Sequence, residues 1–133
     1  MGKLKILLVD DEPDFVELIG IRIIEWGYDF LKAFNGREAI ETVKNKKPDI
    51  IILDYVMPMM DGVSILKEIR KFNDGVPVIM FTNYPDMKTM ANTKKLGISA
   101  FIPKLSVYPD VLTSLKATLE MIEKKLKKKE GAV

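Results

Sequence analysis

Two acidic residues close an apolar run, Leu7-Leu8-Val9-Asp10-Asp11, and a third closes another, Ile50-Ile51-Ile52-Leu53-Asp54. Runs this rich in Ile and Val read as strands buried on both faces, the habit of parallel sheets, whose ligands gather beyond the carboxyl ends of the strands. That arrangement brings Asp10, Asp11 and Asp54 to one rim. Two carboxylates about 4 Å apart repel by roughly 4 kcal/mol at an effective dielectric near 20, so the group requires a proton, a lysine or a divalent cation. All-oxygen ligation favours Mg²⁺, with Mn²⁺ as a substitute. Two more polar groups follow strand-like runs: Thr82 after Val78-Ile79-Met80-Phe81, and Lys104 after Ala100-Phe101-Ile102-Pro103. An acid pair, a lone Asp, a hydroxyl and a Lys around one metal make a phosphoryl-transfer site. Asp54 is then the nucleophile, with Lys104 and Thr82 stabilising the phosphoryl oxygens.

The elements that must position these residues follow from periodicity. Strand-like runs at 5–9, 28–33, 49–53, 76–81 and 100–103 each precede a segment of helical period. The first helix is expected from Phe15 to Trp26 with Gly27 as its stop, and the second from Arg37 to Asn45, closed by Lys46-Lys47-Pro48. The third spans Gly62 to Phe72 before the Asn73-Asp74-Gly75 turn, and the fourth Asp86 to Leu96 before Gly97. The fifth carries Val111, Leu115, Leu119, Ile122 and Leu126 on one face. Right-handed crossovers turn five β-α units into a doubly wound (βα)5 fold of the flavodoxin-like α/β class, strand order 2-1-3-4-5, with a crevice between the ends of the first and third strands. One domain, 1–126, is expected, followed by a basic tail, 127–133.

Composition narrows the chemistry. The chain of 133 residues has no Cys and no His, which removes disulfides, thiol nucleophiles, zinc sites and histidine bases. Lys and Arg number 21 against 19 Asp and Glu, too near balance to suggest a nucleic-acid binder. The local excess at Lys124, Lys125 and Lys127 to Lys129 reads as a solvated helix end that complements the macrodipole. Neither a signal peptide nor a membrane-spanning run is evident, so a cytoplasmic location is expected.

At these residues the sequence resembles the receiver domain of two-component response regulators, from about Lys3 to Leu126. Val9-Asp10-Asp11-Glu12 is similar to the family's acidic motif, and Asp54-Tyr55-Val56-Met57-Pro58-Met59-Met60-Asp61-Gly62 to its phosphoacceptor loop. The resemblance implies that Asp54 is phosphorylated, that Asp11 ligates Mg²⁺ directly and Asp10 through water, and that the Val56 carbonyl is a further ligand. It makes Thr82 the switch hydroxyl, Phe101 the switch aromatic and Lys104 the phosphate-binding lysine. It also implies a phosphodonor, either a sensor histidine kinase or a phosphotransfer protein, and a response on the face of the fourth helix, fifth strand and fifth helix. Output is then by contact with a protein target or output domain, with a phosphorylation-dependent homodimer as one form. No membrane and no direct nucleic-acid contact are expected, and no output domain within this chain. Such a domain catalyses its own phosphotransfer and dephosphorylation and is not otherwise an enzyme.

Several positions depart from the family pattern. Leu105 follows Lys104 where most receivers carry a cis proline, and a non-proline cis bond costs about 2.5–4 kcal/mol, which favours a trans link. Asn83 stands where a small residue usually follows the switch Thr. Val56 and Tyr84 occupy positions that, by the resemblance, flank the path of attacking water, and neither is an acid or amide, so slow hydrolysis of the acyl phosphate is expected. A dehalogenase-type phosphatase would need an acid where Val56 stands. A flavodoxin-type redox protein would need a phosphate-binding loop where Asp10 to Asp14 would repel phosphate. The remaining alternative is a receiver-fold interaction module indifferent to phosphorylation.

Overall fold

A computed structural model describes residues 2–57, 59–82, 87–104 and 108–131. Five parallel strands, β1 (Lys5–Val9), β2 (Asp29–Ala33), β3 (Ile50–Asp54), β4 (Val78–Phe81) and β5 (Ile98–Ile102), alternate with five helices: α1 (Pro13–Glu25), α2 (Gly36–Lys46), α3 (Gly62–Arg70), α4 (Met87–Lys95) and α5 (Tyr108–Gly131). The sheet order is β2-β1-β3-β4-β5, as the crossover argument predicts. The chain reverses its direction of winding between β1 and β3. Their carboxyl ends therefore part around a crevice at the topological switch point, the usual ligand position in open α/β sheets.

Side chains of the central strands divide between two cores. Ile6 and Leu8 of β1, Ile50 and Ile52 of β3 and Ile79 and Phe81 of β4 pack with Val16, Ile19 and Ile23 of α1 and Val111, Leu115, Leu119 and Ile122 of α5. Their neighbours Leu7, Val9, Ile51, Leu53, Val78 and Met80 pack on the opposite face with Ala39 and Val43 of α2 and Ile65, Leu66 and Ile69 of α3. The period of two in the strands produces this split, and the burial of each Leu or Ile is worth about 1.5–3 kcal/mol.

The helix starts have identifiable local causes. Asn35 Oδ1 accepts the Glu38 backbone N–H at 2.9 Å while Glu38 Oε1 accepts that of Phe34 at 3.0 Å, a reciprocal cap for α2. Asp61 Oδ1 accepts the Ser64 N–H at 2.8 Å and caps α3. Helix α1 begins at Pro13, earlier than its apolar period suggests, because proline at the first helical position lacks only an N–H that would be unsatisfied anyway. Gly20 of α1 lies against the Phe30 ring, where a Cβ would stand 2.5 Å from the nearest ring carbon, so this glycine sets how closely α1 approaches β2.

Several boundaries differ from the sequence reading by a residue or more, and those at the carboxyl-terminal end have clear local causes. Strand β5 starts at Ile98 and leaves Pro103 outside it, since Pro103 has no N–H for a ladder. Helix α5 continues past Leu126 to Gly131, because a lysine-rich stretch is a good helix former and contains no breaker. Arg70, at the end of α3, donates from Nε to Leu96 O at 2.7 Å and from Nη2 to Gly97 O at 3.3 Å, tying α3 to the carboxyl end of α4.

Candidate functional site

The acids predicted to meet do meet. Asp10 follows β1 and its backbone N–H donates to Ala33 O at 3.1 Å, so the ladder toward β2 carries it to the rim. Asp54 is the last residue of β3, paired in register with Phe81 of β4. Both side chains are buried. Single ligand atoms of Asp10, Asp11, Glu12 and Asp54 all lie within 4.8 Å of one another. Glu12 was not among the residues singled out for the site, although its place in the Asp10-Asp11-Glu12 run was the available signal.

Lys104 closes the cluster from the far side of the sheet. Its Nζ lies 2.9 Å from Asp10 Oδ2, 2.5 Å from Glu12 Oε1 and 3.1 Å from Asp54 Oδ2. The contacts to Glu12 and Asp54 are hydrogen bonds, whereas that to Asp10 Oδ2 is an ion pair without hydrogen-bond geometry. The other carboxylate oxygens are held by backbone: Asp10 Oδ1 accepts the Glu12 N–H at 2.9 Å, and Asp54 Oδ1 accepts the Val56 N–H at 3.2 Å. The Lys104 side chain is only 10% exposed and its Nζ also sits 4.9 Å from the centre of the Phe15 ring.

Thr82 is buried directly after β4, where its N–H donates to Ile102 O at 3.1 Å and its carbonyl accepts the Lys104 N–H at 3.4 Å. The same loop pairing thus sets Thr82 and Lys104 side by side. Phe101, in β5, is half-buried against the core on the α2/α3 face. Val56 has its side chain in solvent, 67% exposed, so its backbone is the part engaged with Asp54. Asn83, Tyr84 and Leu105, and with Leu105 the geometry of the Lys104–Leu105 link, lie outside the described residues.

The electrostatics follow from packing three acids and a lysine into a poorly solvated rim. Burial pushes the Asp54 carboxyl up to about 6, helped by the charge of Asp10 and opposed by Lys104 and the Val56 N–H. Burial likewise raises Asp10 above the usual carboxylate range. For Lys104, burial disfavours the charged form, but the hydrogen bond to Glu12, the ion pair with Asp10 and the nearby Asp54 charge outweigh it and leave the ammonium more firmly protonated than usual.

The donor set fits a hard divalent cation. Asp10 Oδ2 is fully buried and accepts no hydrogen bond, and the neighbouring ligand atoms are all carboxylate oxygens. Lys104 Nζ faces that oxygen at 2.9 Å without a hydrogen bond, and the acceptor capacity left unused suits a hard cation.

The sequence matches the response regulator receiver domain family over residues 6–117. It is 32% identical over 124 residues to a probable transcriptional regulator, ycf27, of Porphyridium aerugineum, covering 93% of this chain and 51% of that protein. It is 34% identical over 115 residues to the transcriptional regulatory protein ZraR of Escherichia coli K12, covering 86% of this chain and 25% of that protein. The chain thus spans between a quarter and a half of the length of these relatives. Among solved structures it is similar to a CheY-like receiver domain protein from Methanospirillum hungatei JF-1, with a TM-score of 0.81 and 25% identity over 93% of this chain and 99% of that one. The chemotaxis protein CheY4 of Vibrio cholerae gives a TM-score of 0.76 at 26% identity, covering 88% and 99%. These two relatives are named as transcriptional regulators, which runs against the expectation of no direct nucleic-acid contact.

Proposed function

The chain belongs to the response regulator receiver domain family, and from that premise we propose that it accepts a phosphoryl group on Asp54 from a sensor histidine kinase or a phosphotransfer protein. The observation that carries this reading is the position of Lys104 Nζ, 2.9 Å from Asp10 and 3.1 Å from Asp54 at the carboxyl ends of the strands. A cation fixed there lies where the charge of a phosphoryl group on Asp54 would appear. Mg²⁺ or Mn²⁺, held by Asp10, Asp11, Asp54 and the Val56 carbonyl, supplies further positive charge against the phosphoryl oxygens when bound.

The Asp54 carboxylate is fixed through both oxygens, by the Val56 N–H and by Lys104, so its approach to phosphorus costs little reorientation. With a carboxyl titrating near 6, Asp54 is more basic than an ordinary aspartate yet ionised at neutral pH, which suits a nucleophile. An Asp54 oxygen attacks phosphorus and the donor's P–N bond breaks, or the P–O bond when acetyl phosphate is the donor. The leaving group takes the bonding pair; a histidine nitrogen then takes a proton, whereas acetate departs as the anion. Lys104 and Thr82 bind the phosphoryl oxygens. Thr82 moves toward the phosphoryl group and Phe101 turns into the space it leaves, which remodels the face of α4, β5 and α5 as a two-state element biased by local charge. The altered face engages a protein target, an output domain or a second copy of the chain.

Intact-mass spectrometry after incubation with Mg²⁺ and acetyl phosphate tests the reading. A gain of about 80 Da in wild type and none in Asp54→Ala is expected. No gain in folded wild-type protein would favour the phosphorylation-independent interaction module.

A further inference from the structure

Phe15 is the third residue of α1, half-buried, with its ring 4.9 Å from Lys104 Nζ. The ring is itself held. It meets Phe81 edge to face, with centroids 5.8 Å apart and planes at 76°, and Phe81 is fully buried at the end of β4, immediately before Thr82. We propose that Phe15 is a positioning residue for Lys104, an aromatic seat that keeps the ammonium group at the rim while its hydrogen bonds pass from carboxylate to phosphoryl oxygens. The inference rests on the reading of Asp54 as phosphoacceptor.

A lysine side chain is long and flexible, and three acids now hold the Lys104 amine. Phosphorylation of Asp54 changes that set, because a carboxylate oxygen becomes the bridging oxygen of an acyl phosphate and the charge moves outward onto the phosphoryl group. Hydrogen bonds are directional and must break and re-form in this rearrangement. Attraction to the face of a ring is not directional in that way and consumes none of the three N–H donors. The amine can therefore turn on the ring without leaving it. The seat is fixed through Phe81 to the strand that delivers Thr82, so both proposed phosphoryl-binding groups are referenced to β4. An aliphatic residue at position 15 would fill the space but present no negative ring face.

Wild type, Phe15→Tyr and Phe15→Leu are compared by the rate of phosphorylation with acetyl phosphate at fixed Mg²⁺. Folding is checked by circular dichroism, and the Lys104 ε-methylene protons are followed by NMR in protein free of metal and phosphodonor. The Leu variant is expected to be slower by about three- to thirtyfold and the Tyr variant to stay near wild type. An upfield ring-current shift of the Lys104 methylene is expected in wild type and Tyr and not in Leu. A Leu variant as fast as wild type, a folded Tyr variant as slow as Leu, or an unshifted Lys104 methylene in wild type would overturn the inference alone. Failure of wild type itself to gain a phosphoryl group would overturn the reading of Asp54 and this inference with it.

Discussion

Lys104 Nζ and Asp54 Oδ2 stand 3.1 Å apart although 50 residues separate them in sequence. The pair places the only described cation of the site among its acids. Replacing Lys104 with Met keeps the bulk of the side chain and strands buried carboxylates without a partner. The Lys104→Met protein is expected to lose about 3 kcal/mol in urea unfolding at pH 7 with chelator present, to recover part of that loss on addition of Mg²⁺, and to bind the metal more tightly than wild type.

The raised pKa of Asp54 has a definite sign for stability. A carboxyl shifted from 3.8 to about 6 holds its proton better in the folded chain than in the unfolded one. Its contribution is fully present below about pH 3.8 and is lost as pH rises through about 6. At pH 7 without metal the ionised group therefore opposes folding by up to roughly 3 kcal/mol. Asp54→Asn should then be more stable than wild type by about 1–3 kcal/mol at pH 7, with the advantage shrinking between pH 6 and pH 4. Urea titrations at several pH values measure it, and an advantage that does not vary with pH would contradict the assignment.

Gly62 fixes the chain after Asp54 against the strand that precedes it. A Cβ there would lie 2.9 Å from both Asp54 O and the Tyr55 Cα, backbone atoms that cannot swing aside. Gly62→Ala should cost about 1–3 kcal/mol in thermal or urea unfolding and slow phosphorylation of Asp54, since the loop must shift to admit a methyl group. Gly20→Ala meets only the Phe30 side chain and should leave the phosphorylation rate unchanged.

Val56 has a solvent-exposed side chain and a backbone N–H bound to Asp54, so its side chain can be changed without disturbing that bond. A Val56→Asn, Tyr84→Glu double variant supplies polar groups able to orient water. Its phosphate should be lost at least about tenfold faster than that of wild type. The decay of the +80 Da species with time is the readout, and an equal lifetime would show that these positions do not govern hydrolysis.

The strands and the site acids were legible because both faces of the central strands are buried, so each run ends where polarity returns, at Asp10, Asp54 and Thr82. Elements nearer solvent were less so. The first residues of β5, Ile98 and Ser99, show little apolar period, because the strand lies at the sheet edge with only β4 beside it. The contacts of Lys104 were legible only in part. Its pairing with Glu12 joins residues 92 apart in sequence, and Phe15 reads in sequence as one more apolar residue of α1. Such partners are fixed by where β5 lands relative to α1, and no local pattern encodes that distance.

The division of the interior into two cores sets the residues around the site in two separate layers. Lys104 leans on Phe15 and Phe81, which belong to the α1/α5 face, whereas Phe101 packs among the residues of the α2/α3 face. Substitutions around Phe15 therefore repack one layer and substitutions around Phe101 the other. A designer wishing to alter the seat of Lys104 while keeping the packing of Phe101 would confine substitutions to the α1/α5 side of the sheet.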